Sequence, residues 1–270
     1  MLIYANFVMI TSIQNPLIKE IRKLHTSKGR QEQGLFLLEG RHLISEACAQ
    51  NYPLTTFCCT LEWSEKYAQL WEKVALQAQR VELVSDRVLA AIATTVNPDG
   101  AIATAPRIVN KPIPTTSLGL ALETVQDPGN LGTMIRTAAA AGVDSLWVSE
   151  DSVELDHPKV LRSSAGAWFR LPLGVTTDLK SEVLRCQNQG MQVLATLPNA
   201  SLTYWEVDLR VPTLIILGNE GAGLSEDLID LASLQVQIPL SRGVESLNVA
   251  IAAALILYEA QRQRRIKDEK

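Results

Sequence analysis

"LGLALETVQDPGNLGTMIRTAAAAGVDSLWVS", residues 118 to 149, reads as strand, polar turn, helix and strand. Its two apolar ends, "LGLALETV" and "SLWVS", are continuous runs, the pattern of strands buried on both faces of a sheet. Two parallel strands need a crossover, and "GTMIRTAAAAG" supplies a helical one, with Gly142 suited to its C-terminus. The alternation goes on. A helix near "HPKVLRSSAG" is followed by "DLKSEVLRCQNQG", which starts at a capping Asp178 and ends at Gly190. "MQVLATLP" and "VPTLIILG" are strands. "LSEDLIDLA" is a helix with Ser225 as cap and acids in its first turn. The strand "LQVQIPLS" then feeds a helix that opens near Asn248. This pattern predicts an α/β domain over residues 118 to 265, a parallel sheet covered by helices.

The first hundred residues read differently. A basic helix-like stretch from Pro16 to Lys28 precedes the strand "LFLLEG" and the helix "RHLISEACAQ". Strands "LTTFCCT" and "RVELVS" follow, with the helical "SEKYAQLWEKVALQAQ" between them. These predict a small α/β domain over residues 10 to 104. "NPDGAIATAPRIVNKPIPTTS", residues 97 to 117, carries Pro98, Pro106, Pro112 and Pro114 and reads as linker, at its clearest over 105 to 117.

The bulk numbers narrow the class. Hydrophobic residues at 47% and charged ones at 20% are the balance of a globular protein. The longest apolar run, the ten residues Val249 to Tyr258, is too short for a bilayer, which needs about 20. The start, "MLIYANFVMITS", lacks a basic n-region, and Met9 is an alternative start. Cys48, Cys58, Cys59 and Cys186 show no C-x-x-C pair, and His25, His42 and His157 are scattered. A reduced, cytoplasmic protein without a metal site is expected. Net charge is −4, which points to no polyanion overall. Lys19, Arg22, Lys23, Lys28 and Arg30 nonetheless face the single acid Glu20 between residues 14 and 30.

Ligands of open α/β sheets sit beyond the C-terminal ends of the strands. Three polar, glycine-bearing segments lie there: "QDPGNLGTMIRT", "NEGAGL" and "SRGVESLN". The glycines of the second run G-x-x-G-x-G, not the G-x-x-x-x-G-K-[ST] of a phosphate loop. No G-x-G-x-x-G opens the first unit of the domain, which disfavours a dinucleotide oxidoreductase. No G-x-S-x-G elbow or neighbouring histidine activates Ser246.

Together the segments resemble the three motifs of the SpoU/TrmH family of RNA ribose 2′-O-methyltransferases, in the SPOUT superfamily. "DPGNLGTMIRTAAAAG", "ILGNEGAGL" and "IPLSRGVESLNVAIAAAL" carry the likeness, with "HPKVLRSSAGAWFRLPL" between them. "SIQNPLIKEIRKLHTSKGRQEQGLFLLEGRHLISEA" resembles that family's small RNA substrate-binding domain. The resemblance implies a deep trefoil knot, a homodimer packed through the apolar run after Asn248, and S-adenosylmethionine as cofactor. It implies cofactor contacts at Gly218, Asn219, Ile238 and Leu247, with Thr196 and Leu197 nearby. Arg136, Asn130, Glu220, Ser246 and Asn248 are the implied catalytic set, with Asn248 or Ser246 also capping its helix. Glu220 is expected to orient Asn248, Arg136 or the ribose. Lys19, Arg22, Lys23, Lys28, Arg30 and Arg41 are the expected phosphate contacts, joined by Arg262, Arg264 and Arg265. The implied substrate is ribosomal RNA of 23S type, with transfer RNA, or RNA binding without catalysis, as the alternatives.

Overall fold

A computed structural model describes residues 8–107 and 116–268, with side chains to 265. Residues 1–7, and 108–115 of the expected linker, lie outside the described residues. In chain order come α1 (Pro16–Lys23), α2 (Ser27–Gln33), β1 (Leu35–Glu39), α3 (Arg41–Ala49), β2 (Leu54–Cys59), α4 (Leu61–Lys66) and α5 (Ala68–Gln77). Then follow β3 (Ala78–Leu83), α6 (Asp86–Ile92), β4 (Ala101–Pro106), β5 (Leu118–Leu122), α7 (Pro128–Ala141), β6 (Ser145–Ser149) and α8 (Pro158–Ser163). The chain ends with β7 (Leu173–Thr176), α9 (Leu179–Asn188), β8 (Gln192–Thr196), β9 (Leu202–Thr203), β10 (Thr213–Leu217), α10 (Glu226–Leu231), β11 (Leu234–Gln237) and α11 (Val249–Asp268).

Contacts divide the chain into two units. One is residues 1–109 with Asp156–Phe169; the other is residues 110–155 with 170–270. The first holds a four-stranded sheet ordered β1-β4-β2-β3. β4 was expected in the linker, yet it pairs antiparallel with both β1 and β2. Its "AIATAP" is poor in branched residues, so its burial between two strands, not propensity, makes it a strand. The expected helix from Pro16 to Lys28 is two helices, because Thr26 caps α2 by accepting from the Gly29 amide at 3.1 Å.

The stretch Asp156–Phe169, expected in the second domain, belongs to the first unit. Buried charges hold it. Arg30 is only 2% exposed, donates to the carbonyls of Leu24 and His25, and pairs with buried Asp156 at 3.5 Å. Arg107 pairs with the same carboxylate. The expected phosphate contact at Arg30 is therefore overturned: its guanidinium is occupied inside the fold. Lys19, Arg22, Lys23, Lys28 and Arg41 are exposed, although Lys23 pairs with Glu20 at 2.8 Å and Arg41 lies 5.1 Å over the Tyr67 ring.

Glu39, at the end of β1, is the second anchor. It accepts from the amides and hydroxyls of Thr94 and Thr95 and lies 3.6 Å from Arg162 of α8. Burial alone would raise its pKa, but the threonine hydrogen bonds outweigh burial and hold the carboxyl below its ordinary 4.5. A depressed folded pKa contributes stability that is full above the unfolded value and is lost as pH falls through the folded one. Urea midpoints should therefore drop as pH falls below about 4.5, and Glu39→Gln should flatten that part of the curve. An unchanged slope in the variant would refute the assignment.

The second unit is a seven-stranded sheet ordered β7-β6-β5-β10-β8-β11-β9, parallel at every pairing. β5 and β10 at its centre are buried along their whole length, as the continuous apolar runs predict. β7 and β9 add strands that the sequence reading lacked. On one face α9 and α10 bury Val183, Cys186 and Leu228 against Val193, Leu214 and Ile216. α11 packs against α7 and buries Ala253, Ile256, Leu257 and Ala260. The apolar run is thus partly core, though Ile251, Leu255 and Tyr258 remain exposed. Arg264 donates to the carbonyls of Ser117, Leu209 and Val211, so this expected RNA contact is spent on the domain's own backbone.

Candidate active site

β6, β5, β10, β8 and β11 are adjacent, and each ends at the same edge because all are parallel. The three glycine-bearing segments follow β5, β10 and β11. The first opens α7: Asp127 accepts from the Asn130 amide at 2.8 Å, and Pro128 occupies the first turn, where its missing N–H costs nothing. The third opens α11. Asn248 Oδ1 accepts from the amides of Ala250 (2.9 Å) and Ile251 (3.3 Å), so Asn248 is the cap.

That cap orients the rest. With Oδ1 used, the Asn248 amide nitrogen must point outward, and it donates to Asn130 Oδ1 at 2.9 Å. Asn130 Nδ2 then donates to Glu220 Oε1 at 3.0 Å. One residue from each segment is joined in a single relay, and every amide orientation in it follows from the helix cap. Glu220 thus meets Asn130 and reaches Asn248 only through it. Ser246 is exposed two residues before the cap. Arg136 lies six residues beyond Asn130, about 9 Å along α7. It is exposed, with no ion-pair partner among the described residues.

The second segment is a closed loop. Asn219 and Gly223 exchange two backbone hydrogen bonds of 3.0 Å, while Asn219 Oδ1 accepts from the amides of Gly221 and Ala222. Asn219 Nδ2 donates to the Thr124 carbonyl at 2.7 Å. Asn219, an expected cofactor contact, spends its side chain on building the loop. Gly218 is packed so tightly that a Cβ would lie 2.2 Å from the Gly223 carbonyl.

Thr124 was no sequence candidate, and no local signal marked it. Its φ is +54°, a left-handed conformation that costs a β-branched residue about 1–3 kcal/mol. Its amide donates to Ser149 Oγ at 2.8 Å and its hydroxyl to Asp151 Oδ2 at 2.6 Å. Hydroxyl donation from Ser149 and then Thr124 holds the Asp151 carboxyl below its ordinary range, so at neutral pH it is an acceptor for both.

Thr196 ends β8, and Leu197, Gly218 and Ile238 follow the ends of the neighbouring strands β8, β10 and β11. Leu197 and Ile238 are half-buried, and Leu247 is exposed. The Thr196 hydroxyl is buried without a hydrogen-bond partner. An orphaned polar atom beside apolar side chains fits a ligand that is largely apolar with a few hydrogen-bonding groups, as an adenosyl group is. Among the described residues no three His, Cys, Asp or Glu side chains are grouped as a metal would need. No helix of the described residues is long and apolar enough to cross a membrane.

Residues 117–258 match the SpoU rRNA Methylase family, and residues 15–103 match the MRM3-like substrate binding domain. The chain is 47% identical over 262 residues to an uncharacterized tRNA/rRNA methyltransferase of Synechocystis sp., covering 96% of each. It is 34% identical to the 23S rRNA (guanosine(2553)-2′-O)-methyltransferase RlmP of Bacillus subtilis, over 92% of this chain and 97% of that protein. The crystal structure of an AdoMet-bound rRNA methyltransferase from Sinorhizobium meliloti superposes with a TM-score of 0.84 at 29% identity, over 95% of this chain and 98% of that one.

Proposed function

The chain belongs to the SpoU rRNA methylase family, and from that premise we propose a residue-level account of how it methylates RNA. It is an S-adenosylmethionine-dependent enzyme that transfers a methyl group to a ribose 2′-hydroxyl of ribosomal RNA. The substrate proposed is 23S-type RNA, on the strength of the RlmP relative. The observation that carries the account is the relay from Asn248 through Asn130 to Glu220, with Asn130 on the same helix as an exposed arginine that has no ion-pair partner among the described residues.

S-adenosylmethionine supplies a methyl group on a sulfonium, a good leaving group. Gly218, Thr196, Leu197, Ile238 and Leu247 would hold it, with the Thr196 hydroxyl gaining its missing partner. In the transfer the ribose O–CH3 bond would form as the S–CH3 bond breaks, and the alcohol's proton would pass to the free Glu220 carboxylate oxygen, so negative charge grows on the ribose oxygen. A guanidinium offers only N–H donors and no acceptor, so Arg136 is no general base. Its role is to clamp a neighbouring phosphate and stabilise the forming alkoxide. Glu220, steered by Asn130, offers its second carboxylate oxygen to the ribose, and Ser246 hydrogen-bonds the substrate at the lip of α11. The N-terminal unit takes the RNA backbone through exposed Lys19, Arg22, Lys23, Lys28 and Arg41.

A knotted threading is also proposed. β10 lies between β5 and β8, two strands already laid down, which supports a chain that returns through its own loops. A homodimer is proposed on the exposed stripe Ile251, Leu255 and Tyr258 of α11, at i, i+4 and i+7. A cytoplasmic location follows from a ribosomal substrate. Nucleoside mass spectrometry of RNA incubated with the protein and S-adenosylmethionine should find a 2′-O-methylated nucleoside. Methylation of a base instead, or no cofactor binding by calorimetry, would refute the account.

A further inference from the structure

Thr124 has three polar groups in its backbone and side chain, and each is bonded to the end or the loop of a neighbouring strand. Its amide goes to Ser149, the last residue of β6, and its hydroxyl to Asp151 in the loop that follows. Its carbonyl goes to the loop after β10, at Asn219. The β6 loop is itself stitched to the turn. The amide of Val125 donates to Ser152 Oγ at 2.9 Å, the amide of Val153 to the Val125 carbonyl at 2.8 Å, and Gln126 Nε2 to the Asp151 carbonyl at 2.8 Å. A glycine at 124 would take a φ of +54° without strain. Threonine there is costly, and what it adds is the hydroxyl that Asp151 accepts.

We propose that Asp151 is a positioning residue for methyl transfer, acting through Thr124 and Asn219 on Glu220. Asp151 and Ser149 hold Thr124 in its left-handed conformation, and the Thr124 carbonyl then fixes the Asn219 amide. With its nitrogen fixed, Asn219 turns Oδ1 to the amides of Gly221 and Ala222 and so shapes the loop that carries Glu220. Contact with the ribose is left to Glu220; Asp151, Ser149 and Thr124 act only through it. The kinetic half of the proposal rests on the methyltransferase reading above; the structural half does not.

The test pairs turnover with hydrogen exchange of residues 218–224 in the full chain. Thr124→Val keeps the shape and loses the hydroxyl; Asp151→Ala loses the acceptor; Thr124→Gly loses the hydroxyl but relieves the backbone. All three should speed exchange of the loop roughly tenfold and lower kcat by about tenfold. KM for RNA and the dissociation constant for S-adenosylmethionine should stay within about twofold. Thr124→Ser, which restores the hydroxyl, should recover most of the lost rate. Thr124→Gly is the decisive variant, because a purely structural role predicts a protein as stable as the parent and as active. Unchanged loop exchange in folded Thr124→Gly and Asp151→Ala, or faster exchange with unchanged kcat, would overturn the proposal. Loss of rate that follows the melting temperature across the four variants would overturn it too. A parent protein that methylates no RNA would refute the methyltransferase reading, and the exchange data would then decide the coupling alone.

Discussion

Replacing Arg136 by alanine is expected to lower turnover by on the order of 10²-fold or more, the effect of removing one donor from a developing oxyanion. Three features of the site make the loss specific. Arg136 is exposed on α7 with no ion-pair partner among the described residues, so no internal contact is broken. It is followed closely by alanines, and alanine is the best helix former, so α7 should keep its stability. The residues proposed for the cofactor end or follow β8, β10 and β11 or precede α11, and none lies on α7, so affinity for S-adenosylmethionine should barely move. Arg136→Lys should restore only part of the rate, because an ammonium cannot grip phosphate with a planar fork. Mixing Arg136→Ala with a variant that cannot bind cofactor tests where each site is completed. Sites shared across a dimer regain one working copy per heterodimer; sites within one chain regain none. Near-normal turnover by the single variant would remove Arg136 from the mechanism.

How far the sequence carried this site depends on the range of the interactions. The sheet and its edge were legible because continuous apolar runs, Asp178, Gly142 and Gly190 are local signals with local physical causes. β4 was hidden: an alanine-rich hexapeptide beside two prolines becomes a central strand only when β1 and β2 flank it. Arg30 looked like its basic neighbours, because the carboxylate that buries it is Asp156, far along the chain. α8 followed the C-terminal pattern in sequence, yet its Arg162 reaches Glu39 and Thr94. The relay through Asn130 could be listed by residue but not ordered, since only the capped amide of Asn248 decides which way each group points. Thr124 lay beyond reach altogether: a left-handed β-branched residue runs against local preference, and the segments that end β6 and follow β10 impose it.

Gly218→Ala should be the most damaging single methyl group in the second unit. Its Cβ would lie 2.2 Å from the carbonyl carbon and oxygen of Gly223 and 2.3 Å from the Leu224 nitrogen. All three are backbone atoms, so no side-chain rotation relieves the clash and the loop must open. Opening breaks the paired 3.0 Å hydrogen bonds of Asn219 with Gly223 and releases the amides of Gly221 and Ala222 from Asn219. At about 1 kcal/mol net for each bond, the closed loop should give way locally. The strand before it should hold, because Leu214 and Ile216 stay packed in the core. Cofactor affinity by calorimetry should fall on the order of 10²-fold, equivalent to about 2.7 kcal/mol. Gly221→Ala is the matched control. Its Cβ would meet only Asn219 Oδ1, at an ordinary 3.5 Å, so the loop should stay closed and bind. If both variants bind cofactor equally, loop closure does not build the cofactor site, and Gly218 is there for packing alone.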